Sequence, residues 1–203
     1  FRSDLDRYTV TLRTPDCGSS ATFQLLDDRT ALQAWLTDFF GFDVSIRRDT
    51  QGGFPDDTDS PGPTVVSEAT FAEVNSWFPA LERDQLARRF RSNIELTGVS
   101  AFWEDRLFGD PGEELAFSIG DVRFLGINPC ARCPVPTRHP DTGEPITDFQ
   151  KIFMSKREAT LPSWSNPARF DHYYRLTVNT RVPASEAGKV LRVGDEIRSG
   201  NLT

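Results

Sequence analysis

Between Pro129 and Pro134 the chain reads Pro-Cys-Ala-Arg-Cys-Pro, and no regular element is expected to run through that stretch unbroken. Proline has no amide hydrogen, fixes its own φ at about −65° and pushes the residue before it away from helix. Cys130 and Cys133 are one helical turn apart in spacing, yet the flanking prolines place them on a loop. A thiol on a loop beside Arg132, whose charge favours the thiolate form, suits metal ligation or redox chemistry more than core packing.

The rest of the composition narrows the setting. A chain of 203 residues holds one substantial core, or one core with a partial neighbour. Sixteen phenylalanines and four tryptophans supply apolar surface to bury. The net charge of −7 argues against non-specific nucleic-acid binding, which relies on basic residues to neutralise phosphate. Three cysteines are too few and too odd for a disulfide-stapled secreted scaffold, which favours a reducing, intracellular and cytoplasmic setting. No run of about 18 apolar residues marks a membrane span. The polar start Phe1-Arg2-Ser3-Asp4 reads as no secretory signal, and the missing methionine as a fragment or processed form.

Hydrophobic spacing sets out the elements. Residues 9–12 and 22–26 read as strands around a Pro15-Asp16-Cys17-Gly18 turn. Asp27 or Asp28 then caps a helix carrying Leu32, Trp35, Leu36, Phe39 and Phe40 and ending at Gly41. After a short strand at 44–46, residues 47–63 form a long loop rich in Gly, Pro and Asp; such loops are functional or disordered. Ser67 caps a helix through Trp77, and a second helix covers 82–89. Strands at 94–96, 116–119 and 122–127, a helix at 148–156 capped by Thr147, and strands at 172–182 and 190–197 complete a β-rich α+β fold.

The cysteine pair admits several readings on residues alone. Two structural thiols are the plain one. A zinc site finds too few partners, with only Cys17, His139 and His172 in addition and no second close pair. A thioredoxin-like pair needs a helix start at the first thiol, and Pro136 spoils one. A loop thiolate on a softer transition metal, whose other ligands come from a cofactor, remains open beside these.

Two further motifs accompany the thiols. Arg89-Phe90-Arg91-Ser92-Asn93-Ile94, with Gly98 and Phe102-Trp103-Glu104-Asp105 following, resembles the R-F-R-x-N…G…F-x-E-D signature of the MOSC domain, named after the carboxyl-terminal domain of molybdenum cofactor sulfurase. Cys130-Ala131-Arg132-Cys133 with Pro140-Asp141-Thr142-Gly143 is similar to that family's C-x-R-C…P-D-T-G motif, and Val193-Gly194-Asp195-Glu196-Ile197 to its closing strand. Ser67-Glu68-Ala69-Thr70 and Asn75 resemble its helix after the long loop. The resemblance runs from about Ser60 to Ile197 and points to the subgroup of amidoxime-reducing proteins and their bacterial relatives.

That resemblance implies a distorted β-barrel with flanking helices over 64–203, a loop at 47–63, and the end of an amino-terminal β-barrel subdomain over 1–46. It implies the molybdenum cofactor, a Mo-pyranopterin, with Cys133 as the protein's metal ligand and catalytic residue. Arg91, Asn93, Ser60, Arg132 and Cys130 fall at cofactor-side positions, Arg91 facing the terminal phosphate and Cys130 as a neighbour of the ligand. The implied reaction reduces small N-hydroxylated substrates with electrons from a haem, flavin or iron–sulfur protein. Pyridoxal phosphate enters only at family level, through the aminotransferase-like sulfurases that some members carry upstream. By themselves Arg88, Arg89 and Arg91 read as a solvated basic face.

The chain departs from the pattern at several points. Ala131 stands where a serine is usual, Pro61 replaces a loop hydroxyl, and most of the amino-terminal barrel is missing. His139 takes the place of an aspartate, where an imidazole can hand protons to a leaving oxygen or simply occupy a surface loop. These departures keep two alternatives in view: a non-catalytic carrier of the cofactor, and a domain that has lost it.

Overall fold

The chain divides into two units, Phe1–Gln51 and Gly52–Thr203. The computed structural model describes residues 2–4, 8–14, 18–48, 53 and 57–200. In the first unit β1 (Arg2–Asp4), β2 (Thr9–Arg13) and β3 (Ser20–Gln24) form an antiparallel sheet, and α1 spans Arg29–Phe40. Val10, Phe23 and Leu32 are its buried centre, with Trp35 and Leu36 packed against them. α1 ends as expected at Gly41, whose φ of 72° suits a residue without a Cβ. Asp28 precedes α1, but its carboxylate accepts from the Gln24 amide at 2.8 Å instead of capping the helix.

The strand expected at 44–46 does not form. The Val44 amide donates to Thr37 Oγ1 at 2.9 Å and the Ile46 amide to Gln33 Oε1 at 2.8 Å. Side chains of α1 thus take donors that a sheet would otherwise use. Pro15, Asp16 and Cys17 of the expected turn lie outside the described residues, as do 49–52 and 54–56 of the long loop.

The second unit is built on a six-stranded mixed sheet in the order β5-β4-β8-β7-β6-β9. β4 (Val65–Ser67) runs parallel to β5 (Ile94–Leu96) and antiparallel to β8 (Arg175–Arg181). β7 (Val122–Ala131) lies antiparallel between β8 and β6 (Leu115–Ile119), and β9 (Ile197–Ser199) closes the edge. Three helices belong to this unit: α2 (Glu68–Trp77), α3 (Arg83–Phe90) and α4 (Phe149–Ala159). With nine strands and four helices among the described residues, the chain has the β-rich α+β character that its spacing implies.

Alternation along β4 divides the core. Val66 packs with Phe71, Phe90, Phe149, Phe153 and Tyr174, whereas its neighbour Val65 packs with Leu107, Phe117, Phe124 and Val178. The first cluster is stacked aromatics, with Phe78 and Phe149 centroids 4.3 Å apart. Ser67 caps α2 as its position suggests, accepting from the Thr70 amide at 3.0 Å. Thr147 does not cap α4; Asp148 holds the N-cap position, in a left-handed conformation at φ 56° and with no side-chain capping bond.

The largest departure from expectation concerns the loop itself. β7 continues through Pro129 and Cys130 to Ala131 instead of stopping at 127. Pro129 is tolerated because it sits opposite Val178 between two register slips. One slip lies between Gly126 and Asn128, the other between Pro129 and Ala131, where β8 carries the extra residue. Thr177, at φ 70°, is the strained residue of that bulge. The strand expected at 190–197 does not form over 190–196, and β9 begins only at Ile197; that expected at 172–182 shortens to Arg175–Arg181.

Candidate functional site

Two bulges turn the end of β7 outward and carry the cysteines to the rim of a cavity of about 1470 Å³. Cys130 is the half-buried penultimate residue of the strand, and Cys133 is exposed two residues beyond its end. Pro134 then opens a single 3-10 turn, Val135–Thr137, in place of the helix that Pro136 forbids. The two thiols are therefore unequal. One belongs to a strand, and the other projects from the turn that follows.

Cys133, Cys130, Arg132, Arg91, Asn93 and Ser60 all line this one cavity. α3 ends at Arg91, whose amide donates to Ala87 O at 2.8 Å and whose φ of 49° turns the chain toward β5. The Arg91 side chain is exposed on the wall. Asn93 uses its Oδ1 to accept from the Thr64 amide at 2.9 Å and the Thr64 hydroxyl at 3.1 Å, tying the start of β5 to β4. Ser60 is buried, and its hydroxyl donates to Asp57, which also accepts from the Ser60 and Asp59 amides and from Asn179 Nδ2. These donors hold the Asp57 carboxyl below its ordinary range against the opposing effect of burial.

Arg132 is largely committed to the protein. Its Nε and Nη2 donate to Leu176 O at 3.0 and 2.8 Å, its Nη1 to Phe90 O at 3.0 Å, and its Nη2 also to the Thr177 hydroxyl. Cys130 Sγ lies 3.6 Å from the Ala131 carbonyl.

The three arginines of α3 part company. Arg88 is exposed and paired with Asp141 of the Pro-Asp-Thr-Gly segment. Arg89 is only 2% exposed, so the basic-face reading fails for it. Leu86, Arg89 and Phe90 are spaced so that Arg89 falls on the apolar stripe of α3, a signal that its charge obscures. Arg169, Arg175, Asp171 and Tyr174 carry no motif, yet the first three line the cavity and the fourth lies beneath its cysteine rim.

Charge is unevenly distributed. Five arginines (89, 91, 132, 169 and 175) and two aspartates (57 and 171) line the cavity, in a chain of net charge −7. A wall of this sign favours an anionic occupant. His139 is not on the wall; its Nδ1 accepts from the Asp141 and Thr142 amides at 3.2 Å, closing its own turn. Among the described residues no lysine lines the cavity, and nothing on its wall supports the family-level association with pyridoxal phosphate.

Among the described residues no helix is long and apolar enough to cross a membrane. The family model of the MOSC domain matches residues 64–198. Mitochondrial amidoxime-reducing component 1 of Homo sapiens is 38% identical over 137 residues, covering 66% of this chain and 35% of that protein. The Mus musculus protein of the same name is 32% identical over 133 residues, with the same two shares. Mitochondrial amidoxime reducing component 2 of Bos taurus is 39% identical over 79 residues, 39% of this chain and 20% of that one. The chain thus matches about a third of the length of the human and mouse proteins.

Proposed function

We propose that this chain, which belongs to the MOSC domain family, binds the molybdenum cofactor in the arginine-lined cavity and is the catalytic part of a reductase of N-hydroxylated compounds. The single observation that carries the reading is an exposed thiol, Cys133, on the rim of a cavity that Arg91 and Asn93 also line. The names of the human and mouse relatives, amidoxime-reducing components, supply the substrate class.

The residues fit such a group. A cofactor carrying a phosphate meets a wall with more guanidinium than carboxylate. Ser92, on the same wall, has a buried hydroxyl without a hydrogen-bond partner. No group of three or more His, Cys, Asp or Glu among the described residues forms a protein-only metal cage, which suits a metal that brings its other ligands with it.

In this reading Cys133 is the protein's sulfur ligand. Arg91 offers a planar fork for the terminal phosphate, free of any capping duty because only its amide closes α3. Asn93, with its carbonyl oxygen held by Thr64, presents its amide group. Ser60, whose proton goes to Asp57, can only accept. Arg132 holds the strand end on which the thiol is mounted, and Cys130 stands beside the ligand. When bound, the cofactor supplies a two-electron reduction that removes oxygen from an N–OH group, with two electrons from a haem, flavin or iron–sulfur donor protein and two protons completing amine and water. The chain's own share is to orient and to hold charge.

The test is to purify the full-length protein, measure molybdenum per chain and assay benzamidoxime reduction with a chemically reduced viologen as donor. Near-stoichiometric metal with turnover is expected. Bound cofactor without turnover under any donor would favour a carrier, and turnover by metal-free protein would overturn the proposal.

A further inference from the structure

The turn after Cys133 is short of backbone donors. Pro134 and Pro136 have no N–H, and the amides of Thr137 and Arg138 are used inside the turn, on Pro134 O at 3.0 Å and Val135 O at 2.9 Å. The carbonyls of Pro136 and Arg138 therefore have to be met from elsewhere. One side chain meets both: Arg89 Nη1 donates to Pro136 O at 3.1 Å and to Arg138 O. On the other side of the thiol, Arg132 donates to Phe90 O. The segments before and after Cys133 are thus tied to two consecutive residues at the end of α3.

Arg89 is not used up by these bonds. Its Nε and Nη2 are buried without a partner, and no carboxylate pairs with it among the described residues. Tyr174 is 1% exposed, its ring edge-on to Phe153 at 5.3 Å, and its hydroxyl is buried and unpartnered as well. Burial lowers the Arg89 pKa and raises that of Tyr174, and each group feels the other; Tyr174 also feels Cys133. A buried cation with no counter-ion is tolerated only where its donors find acceptors. The Pro136 and Arg138 carbonyls are the acceptors that Arg89 finds.

We infer that Arg89 is a positioning residue for Cys133: its bonds to the Pro136 and Arg138 carbonyls fix the turn over residues 134–138 and so the direction in which the thiol faces the cavity. Arg89 does this from within the core, by pinning two carbonyls that a proline-rich turn cannot satisfy itself. The inference concerns the protein alone and goes beyond the cofactor reading, so its test does not depend on metal being bound.

The experiment compares hydrogen exchange at the Thr137 and Arg138 amides of the full chain in wild type, Arg89→Met, Arg89→Lys and Leu86→Ala. Leu86 is buried in the same helix and its side chain has no donor for either carbonyl, so it controls for loss of global stability. After correction to matched stability, Arg89→Met is expected to exchange about 10-fold faster there than Leu86→Ala, with partial rescue by lysine. Iodoacetamide labelling of Cys133 relative to Cys130, at one pH and on chains matched for molybdenum content, is expected to change severalfold only in the Arg89 variants. If Arg89→Met does not fold, Arg89→Lys keeps the charge without the guanidinium; it is expected to speed the same amides by roughly 3-fold. Exchange in Arg89→Met equal to that in Leu86→Ala, or, where only the lysine variant folds, no change in Arg89→Lys, would overturn the inference.

Discussion

The guanidinium of Arg132 donates to the carbonyl of Phe90 at 3.0 Å, joining the end of β7 to the last residue of α3. Its other donors go to Leu176 O and the Thr177 hydroxyl, on the bulge of β8. One side chain therefore gathers three elements beneath the cysteine rim. Phe90 O, at a helix end, has no intrahelical donor, which is why a planar cation suits the position.

Replacing Arg132 by lysine leaves part of this set unmet, because a single ammonium cannot reach acceptors in three directions. Arg132→Lys is expected to lower stability by about 2–3 kcal/mol, read as a lower urea midpoint at unchanged slope. Arg91→Lys, on an exposed side chain, is expected to stay within about 0.5 kcal/mol. Equal losses in the two variants would contradict the division between a structural and a ligand-facing arginine.

Glu104 sets a pH dependence. It is 1% exposed, both carboxylate oxygens lack a donor at bonding geometry, and burial with the Asp105 charge beside it pushes its pKa up to about 7. An unfolded glutamate releases its proton near pH ~4.3, so the folded state binds more protons between these values. The stabilisation is complete below the unfolded value and is lost as pH rises through about 7. Glu104→Gln is expected to match wild type at pH ~4 and to exceed it at pH ~8 by on the order of 3 kcal/mol. Thermal melts at the two pH values check this, and a variant that gains nothing at high pH would contradict it.

Beside it, Arg157 and Asp105 form a buried ion pair, with Ser165 also donating to Asp105. Arg157 lies over the rings of Phe102 and Phe170, at 4.0 and 5.0 Å. Arg157→Met removes the counter-ion but keeps much of the packing. It is expected to cost about 3–5 kcal/mol at neutral pH, since the buried Asp105 carboxyl is left without its counter-ion. The double variant Arg157→Met/Asp105→Asn should recover a large part of that loss in the same denaturation series.

How much of this is legible in sequence differs by element. The Ser67 cap and the Gly41 stop are local effects, and they read directly from the residues. The strand through Pro129 does not, because it depends on Val178 lying opposite at a register slip. The missing strand at 44–46 fails for a similar reason: Thr37 and Gln33 take its amides, and no pattern in 44–46 records that. Motif residues such as Arg91 and Asn93 are found by resemblance alone. Arg89 and Tyr174 are hidden, one by its charge and the other by its place among core aromatics.

Molybdenum content is the most direct measure of the thiol asymmetry. Full-length wild type, Cys133→Ala and Cys130→Ala are to be produced together, and metal per chain and benzamidoxime turnover measured on each. Wild type and Cys130→Ala are expected to carry metal and turn over, while Cys133→Ala, exposed and outside the core, stays folded and loses activity. Full molybdenum and full activity in Cys133→Ala would contradict the assignment of the ligand.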